Sequence, residues 1–357
     1  MTPHRVAVEN LSLRIGAFAL RDISFTVAAG EVLVILGHSG AGKSVLLETI
    51  AGFNHPDRGR IRIDGEDVTA APPEARRIGF MFQDYALFPH LTVAQNVAFG
   101  RRFAAAGTDA EPVEALLERL GLRHLAQRKP RHLSGGEKQR VALARALAAS
   151  SRLFLFDEPL AALDARSRDQ LRHELKEFLR RASVPAIYVT HDQAEALVLA
   201  DTIAVMRQGS FVQVGTPSAI FNTPADAETA AFVGVETVVE GRVAAVTDGV
   251  ARIAVNGNFV HAAAASMPPL DARVLACIRP EDVALAALAQ RDSSVRNQFP
   301  ARVVSTEPAG LMFKITLDCG FPLVAYVSKQ SYIELDLANR RETVASIKAT
   351  AVHLIVR

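Results

Sequence analysis

Gly37, His38, Ser39, Gly40, Ala41, Gly42, Lys43 and Ser44 read GHSGAGKS, directly after the apolar run EVLVIL and before VLLETIAG, which has the make-up of a helix. In that setting the glycines let successive backbone N–H groups curl around phosphate oxygens. Lys43 brings a point charge to the outer phosphates, and the Ser44 hydroxyl is a magnesium ligand. A second polar group, Asp157 and Glu158, closes the apolar run LFLF. Two adjacent carboxylates at the end of a buried strand call for a cation to offset their desolvation, and the magnesium of a nucleotide supplies one. Asp157 then holds the ion, directly or through water, and Glu158 polarises the attacking water as general base. Between these groups lies LSGGEKQR, Leu133 to Arg140. Its Ser134, Gly135, Gly136 and Glu137 form a serine-x-x-glutamate capping box. That predicts a helix start whose free N–H groups and two glycines face an anion closely.

Two further residues extend the chemistry. Gln83, in FMFQDYALFPH, follows an apolar strand and precedes an aromatic-rich loop. From there it either senses the magnesium and the attacking water or is simply a polar loop residue, while Tyr85, Phe88 and Pro89 are candidate docking residues. His191 ends the run AIYVT, where it is either a γ-phosphate contact or a hydrogen-bonded strand-end histidine.

Positioning these groups requires short buried strands alternating with helices. EVLVILG (31–37), RLFLFDE (152–158), AIYVTH (186–191) and DTIAVM (201–206) are the clearest strands. Three of them deliver polar residues at their C-terminal ends, where open α/β sheets place ligands. A mostly helical insert, about 84–150, contains ALLERLGL (115–122). SRDQLRHELKEFLRRA (167–182) puts Leu171, Leu175, Phe178 and Leu179 on one face. Its arginine-rich opposite face is expected to be solvated. From about Gly234 the texture changes to short valine- and alanine-rich runs separated by turn residues, the pattern of a small all-β domain. Two domains are predicted, 1–234 and 235–357. Within the tail, 238–287 and 297–356 resemble a degenerate repeat by strand count.

Composition narrows the function classes. The 357 residues are enough for two cores. Forty basic against thirty-eight acidic residues leave a net charge of +2, which gives no bulk reason to expect a nucleic-acid partner or an anionic lipid surface. Cys277 and Cys319 fit no metal or redox spacing and read as small core residues in a reducing compartment. The N-terminal run lacks the apolar stretch of a secretory signal, and no segment is long and apolar enough to span a membrane. The chain is expected to be cytosolic by itself and to borrow any membrane from a partner.

In order, GHSGAGKS, Gln83, LSGGEKQR, LFLFDEP, the AALD at Ala161 to Asp164, and His191 resemble the Walker A, Q-loop, signature, Walker B, D-loop and switch histidine of an ABC ATPase, over roughly residues 5–233. The resemblance implies an α/β P-loop NTPase domain with a helical subdomain, followed here by a small all-β, OB-like C-terminal domain. It implies ATP and Mg2+ as cofactors, with Ser44, Gln83 and Asp157 around the ion and Glu158, His191 and Gln83 in catalysis. It also implies a head-to-tail homodimer, in which Ser134, Gly135, Gly136, Glu137 and Asp164 of one chain close over ATP held by the phosphate loop of the other. One nucleotide domain with a β tail and no span is similar to the cytosolic subunits of bacterial importers. The implied partners are transmembrane permease subunits and, through them, a periplasmic or extracellular substrate-binding protein. The implied location is peripheral, on the cytoplasmic face of the cell membrane.

Two details narrow the cargo. Val45 follows Ser44 where most relatives carry threonine, which resembles the molybdate and tungstate importer ATPases. SSVRNQFPARVV (293–304), LDCGFPLVAYVSKQS (317–331) and SIKATAVHLI (346–355) resemble an oxyanion-binding domain of the molybdate-binding type, in which Ser294, Arg296, Asn297 and Lys348 match residues around the anion. A tetrahedral dianion needs several donors, which these side chains supply. Read without the resemblance, Arg296 and Lys348 are equally surface charges and Asn297 a turn residue. The chain departs from the family pattern at three points. His38 replaces a common proline. Ile15 stands where an aromatic usually stacks on adenine, with Phe18 the nearest substitute. LDLANRRETV (335–344) lacks the usual turn glycine. The expected function is an ATP-hydrolysing importer subunit for molybdate or tungstate whose tail senses the same anion. The alternatives are an importer ATPase for ferric iron, sulfate, a polyamine or a sugar, and, from another class, a non-transport ABC ATPase or an oxyanion-binding sensor.

Overall fold

A computed structural model of the chain describes residues 6–103, 112–149, 151–263, 268–289 and 294–357. Ser293, which opens the SSVRN run, and residues 104–111 and 150 of the expected helical insert lie outside the described residues. The chain divides into two compact units, Met1–Ile220 and Phe221–Arg357.

The first unit runs β1 (Val6–Ile15), β2 (Phe18–Val27), β3 (Val32–Leu36), α1 (Lys43–Ala51), β4 (Arg58–Ile63), β5 (Glu66–Asp67) and β6 (Ile78–Met81). The helices α2 (Val93–Phe99), α3 (Val113–Arg119) and α4 (Gly135–Ala148) follow. Then come β7 (Leu153–Asp157), α5 (Ala165–Ala182), β8 (Ala186–Thr190), α6 (Gln193–Leu199), β9 (Thr202–Arg207) and β10 (Ser210–Gly215). Its main sheet has the order β10-β9-β3-β8-β7-β6, parallel except for β10. Every residue of β3, β7 and β8 is buried. These strands read as continuous apolar runs because helices cover both faces of such a sheet. Charged side chains therefore emerge only at or past the strands' C-terminal ends.

A second sheet, β2-β1-β4-β5, is antiparallel. Its first strand does not announce itself by alternation. Val6, Val8, Leu11 and Leu13 are buried, but register shifts between Val8 and Leu11 and between Leu11 and Leu13 break the period of two. On α5, Leu171, Leu175 and Leu179 are buried and Phe178 half-buried. The arginine face is not simply solvated, which corrects the sequence reading. Arg172 is 6% exposed, and Arg168 donates to Leu163 O (2.9 Å) and pairs with Asp192 (3.4 Å).

The helix α7 (Pro217–Asn222) spans the division. In the second unit follow α8 (Ala227–Phe232), β11 (Thr237–Thr247), β12 (Val250–Val255), β13 (Asn258–Ala263), β14 (Arg273–Ile278), β15 (Ala284–Ala286), β16 (Asn297–Ala309), β17 (Met312–Asp318) and β18 (Pro322–Ser328). The last elements are α9 (Lys329–Glu334), β19 (Glu342–Ile347) and β20 (Val352–Val356). The division falls before the 234/235 boundary read from composition because residues 221–234 are tied to the β-rich unit. Ala230 and Val235 pack with Leu275, Cys277 and Ile355, and the Arg279 guanidinium donates to Val233 O (3.1 Å) and to Phe221 O.

The tail holds two five-stranded antiparallel sheets, β13-β12-β11-β14-β20 and β15-β19-β16-β17-β18. The two contiguous halves suggested by strand count exchange strands: β15 pairs with β19, and β20 crosses back to β14. Their apolar faces share one core that includes Ile253, Val260, Phe299, Leu317 and Ile347. Cys277 and Cys319 are free and buried, and burial pushes their thiols up to about 11 and about 12. Where the turn glycine is missing, Asp336 takes the left-handed conformation (φ 50°) and accepts from the N–H groups of Asn339 and Arg340.

Candidate active site

Four neighbouring strands of the main sheet, β6, β7, β8 and β3, end side by side. They carry Gln83, the Asp157–Glu158 pair, His191 and the phosphate loop respectively. The loop from Gly37 to Gly42 needs glycine at both of its ends. A Cβ on Gly37 would meet Met206 O at 2.5 Å, and Gly42, at φ 105°, would drive a Cβ to 2.3 Å from the Phe18 ring. That close approach leaves Phe18 half-buried against the loop, while Ile15 is 44% exposed at the end of β1. Ser39 and Gly40 are exposed, and Val45 packs against the core.

Lys43 is 6% exposed, and its Nζ donates to Gly37 O (2.7 Å) and His38 O (3.0 Å). The ammonium thus closes the loop on itself. Burial lowers the pKa of Lys43, while Glu158 and Asp157 act in the opposite direction. Asp157 is 6% exposed, and burial raises its pKa against the opposing hydrogen bond from Ser44 and the nearby charge of Lys43. A hydroxyl and a buried carboxylate, with a second carboxylate adjacent, are hard oxygen donors that suit a small divalent cation. Glu158 leaves the strand conformation with φ 47°, and its N–H still donates to Val189 O (3.0 Å). Its Oε1 lies 3.0 Å from Nδ1 of His191, so the strand-end carboxylate and the strand-end imidazole form one pair.

Ser134 caps α4 as the capping box predicts. Its Oγ accepts from Glu137 N–H (3.4 Å), and the Glu137 carboxylate accepts from Ser134 N–H (2.7 Å) and from the Ser134 hydroxyl (2.9 Å). These bonds hold the Glu137 carboxyl below its ordinary range. Gly135 has open space around it. Gly136 lies against Leu163, where a Cβ would stand 3.1 Å from its Cδ2. Asp164 caps α5 through Ser167 N–H (3.0 Å). Arg168, read from the sequence only as part of a solvated face, joins the AALD turn to the residue after His191 through Leu163 O and Asp192. Its signal was its place one turn into a helix capped by that aspartate.

In the tail the four candidates do not share one fate. Asn297 is 1% exposed and its amide bonds His261 at both ends: Oδ1 accepts from His261 N–H (2.6 Å) and Nδ2 donates to His261 O (2.8 Å). It pegs β16 to β13 from a buried position, unlike the other three candidates. Ser294, Arg296 and Lys348 are exposed. Arg296 and Lys348 each lie one residue outside the Asn297–Ile347 pair that ends the β16–β19 ladder. Lys348 also lines a cavity of about 750 Å3 with Arg279, Thr350 and His353.

A family model described as ABC transporter matches residues 20–161, and one described as TOBE domain matches residues 293–354. A molybdate/tungstate import ATP-binding protein WtpC of Pyrococcus horikoshii is 43% identical over 351 residues, covering 97% of this chain and 99% of that protein. A sulfate/thiosulfate import ATP-binding protein CysA 2 of Chromobacterium violaceum is 44% identical over 321 residues, covering 87% and 83%. A spermidine/putrescine import ATP-binding protein PotA of Nitrosomonas eutropha is 40% identical over 335 residues, covering 91% of each chain. Among solved structures, a dimeric post-hydrolysis state of the ATP-binding cassette MJ0796 bound to ADP and Pi aligns with a TM-score of 0.54 at 30% identity, over 59% of this chain and 98% of that one. With phosphate loop, paired carboxylates and strand-end histidine gathered on one sheet edge, and with relatives matched along nearly their whole length, the chain belongs to the ABC transporter ATPases and carries a TOBE domain behind its ATPase domain.

Proposed function

We propose that this ATPase energises an importer for molybdate or tungstate. Two copies would act together, bound to transmembrane permease subunits on the cytoplasmic face of the membrane, with a substrate-binding protein on the far side. Among the described residues no helix is long and apolar enough to cross a membrane, so the span would come from the permease. The observation that carries the cargo reading is full-length similarity to a molybdate/tungstate import ATP-binding protein. The exposed Arg296 and Lys348 that flank the terminal Asn297–Ile347 pair support it, since two cations at one sheet end suit a dianion.

Hydrolysis follows from the strand-end constellation. When nucleotide enters, Lys43 exchanges the carbonyls of Gly37 and His38 for phosphate oxygens, and the loop N–H groups take the remaining charge. Ser44, Asp157 and Gln83 would hold Mg2+, which supplies charge neutralisation at the phosphates. Glu158 accepts the proton of the attacking water, and His191 holds that carboxylate in place while its own edge faces the terminal phosphate. Ser134, Gly135, Gly136, Glu137 and Asp164 would come from the partner copy to cover the nucleotide. Anion bound at Ser294, Arg296 and Lys348 would keep the copies apart and slow hydrolysis, with Asn297 holding the strand that presents them.

Calorimetry on the full chain checks the cargo. Tungstate or molybdate should bind at about micromolar affinity, with sulfate much weaker. Heat with sulfate alone favours the sulfate-import reading, and absence of heat with any oxyanion removes the reason for naming this cargo and leaves ferric iron, polyamine or sugar import. A non-transport ABC ATPase would instead purify from cells without a membrane subunit.

A further inference from the structure

The signature helix α4 carries a second functional group besides its capping box. Arg145 lies about three turns beyond Ser134 and is 9% exposed. Its guanidinium forks over two successive carbonyls of the segment that follows Gln83, donating to Ala86 O (2.6 Å) and to Tyr85 O (2.8 Å). Tyr85 and Ala86 have φ of 66° and 42°, a left-handed region that neither side chain favours. Two consecutive residues held there turn their carbonyls toward one point, and they stay only while something fixes them. The guanidinium also lies over the Phe88 ring, 5.5 Å from its centroid, and the charge of Asp84 opposes, without cancelling, the effect of its burial. From α2, buried Asn96 accepts from Phe88 N–H (2.9 Å) and donates to the carbonyls of Phe88, Leu91 and Thr92. The segment is therefore gripped from two helices, with Arg145 gripping the part nearest Gln83.

Resting on the reading that Gln83 and Ser134–Glu137 both act on nucleotide, we propose that Arg145 is a positioning residue for ATP hydrolysis. By clamping Tyr85 and Ala86 it makes the signature helix and the stretch after Gln83 turn as one body, so that a movement at either end resets the other. Lysine keeps the charge but not the planar fork, and one compact ammonium does not span two carbonyls in fixed geometry.

The test uses the full chain. In Arg145→Lys, kcat for ATP hydrolysis should fall by about tenfold or more through misplacement alone. KM for ATP and the thermal midpoint should stay near those of the unsubstituted chain. Amide exchange should accelerate over residues 84–92 and not over α1. Unchanged kcat beside accelerated exchange overturns the proposal, as does unchanged exchange over 84–92. Arg145→Met guards against a folding artefact: if kcat, KM and midpoint collapse together in both variants, Arg145 merely holds the fold and the proposal fails. Gln83→Ala separates the two levels. Full activity in that variant defeats the underlying reading of Gln83, whereas lowered activity beside a fully active Arg145→Lys defeats the clamp alone.

Discussion

Glu158 occupies the position where the chain leaves β7, and its left-handed backbone together with the bond from its N–H to Val189 O turns the side chain onto His191. Glu158→Gln should lower ATP turnover by about a hundredfold or more while nucleotide binding persists. Steady-state hydrolysis beside equilibrium nucleotide binding checks this, and unchanged turnover would remove Glu158 from the role of base. At this scale residue types were legible in the sequence and contacts only in part. The phosphate loop and the carboxylate pair declare themselves because few other uses fit those residues after a buried strand. Asn297 shows the opposite case: the bare sequence reads it as a turn residue and the resemblance as an anion neighbour, yet its amide bonds the backbone of His261, thirty-six positions away in sequence. Arg168 and Arg172 likewise looked like solvated charge, since helical periodicity says which face is apolar and nothing about what a long polar side chain reaches.

The elements divide by the same logic. The strands β3, β7 and β8 were legible because burial on both faces demands unbroken apolar runs. The strand β1 was not, because its bulges displace the alternation, and the exchange of β15 and β20 was hidden because short strands of similar composition carry no label of their partner. Asn297 now has an element-level role, joining a strand of one tail sheet to a strand of the other. Asn297→Ala should destabilise the tail by about 2 kcal/mol or more, since it leaves the His261 N–H and carbonyl without their partner. Urea unfolding of the full chain, followed by a probe in the tail, should show a lower midpoint at an unchanged slope. An unaltered midpoint would mean that the peg contributes nothing.

For the molecule as a whole, the C-terminal ends of neighbouring strands in one sheet gather the phosphate loop, Glu158 and His191, while the capped start of α4 presents Gly135 in open space. An arrangement with one half of a phosphate cradle on each of two surfaces makes sense when a second copy completes it. The buried thiols give a clean background for testing this, because Cys277 and Cys319, pushed up to about 11 and about 12, should stay unreactive at neutral pH. Ser39 and Ser134 are both exposed. With both replaced by cysteine in the Glu158→Gln chain, and with ATP, Mg2+ and a mild oxidant added, a covalent dimer should appear on a non-reducing gel and depend on ATP. A disulfide confined to the monomer, or no cross-link with ATP bound, would contradict an ATP site shared between two copies.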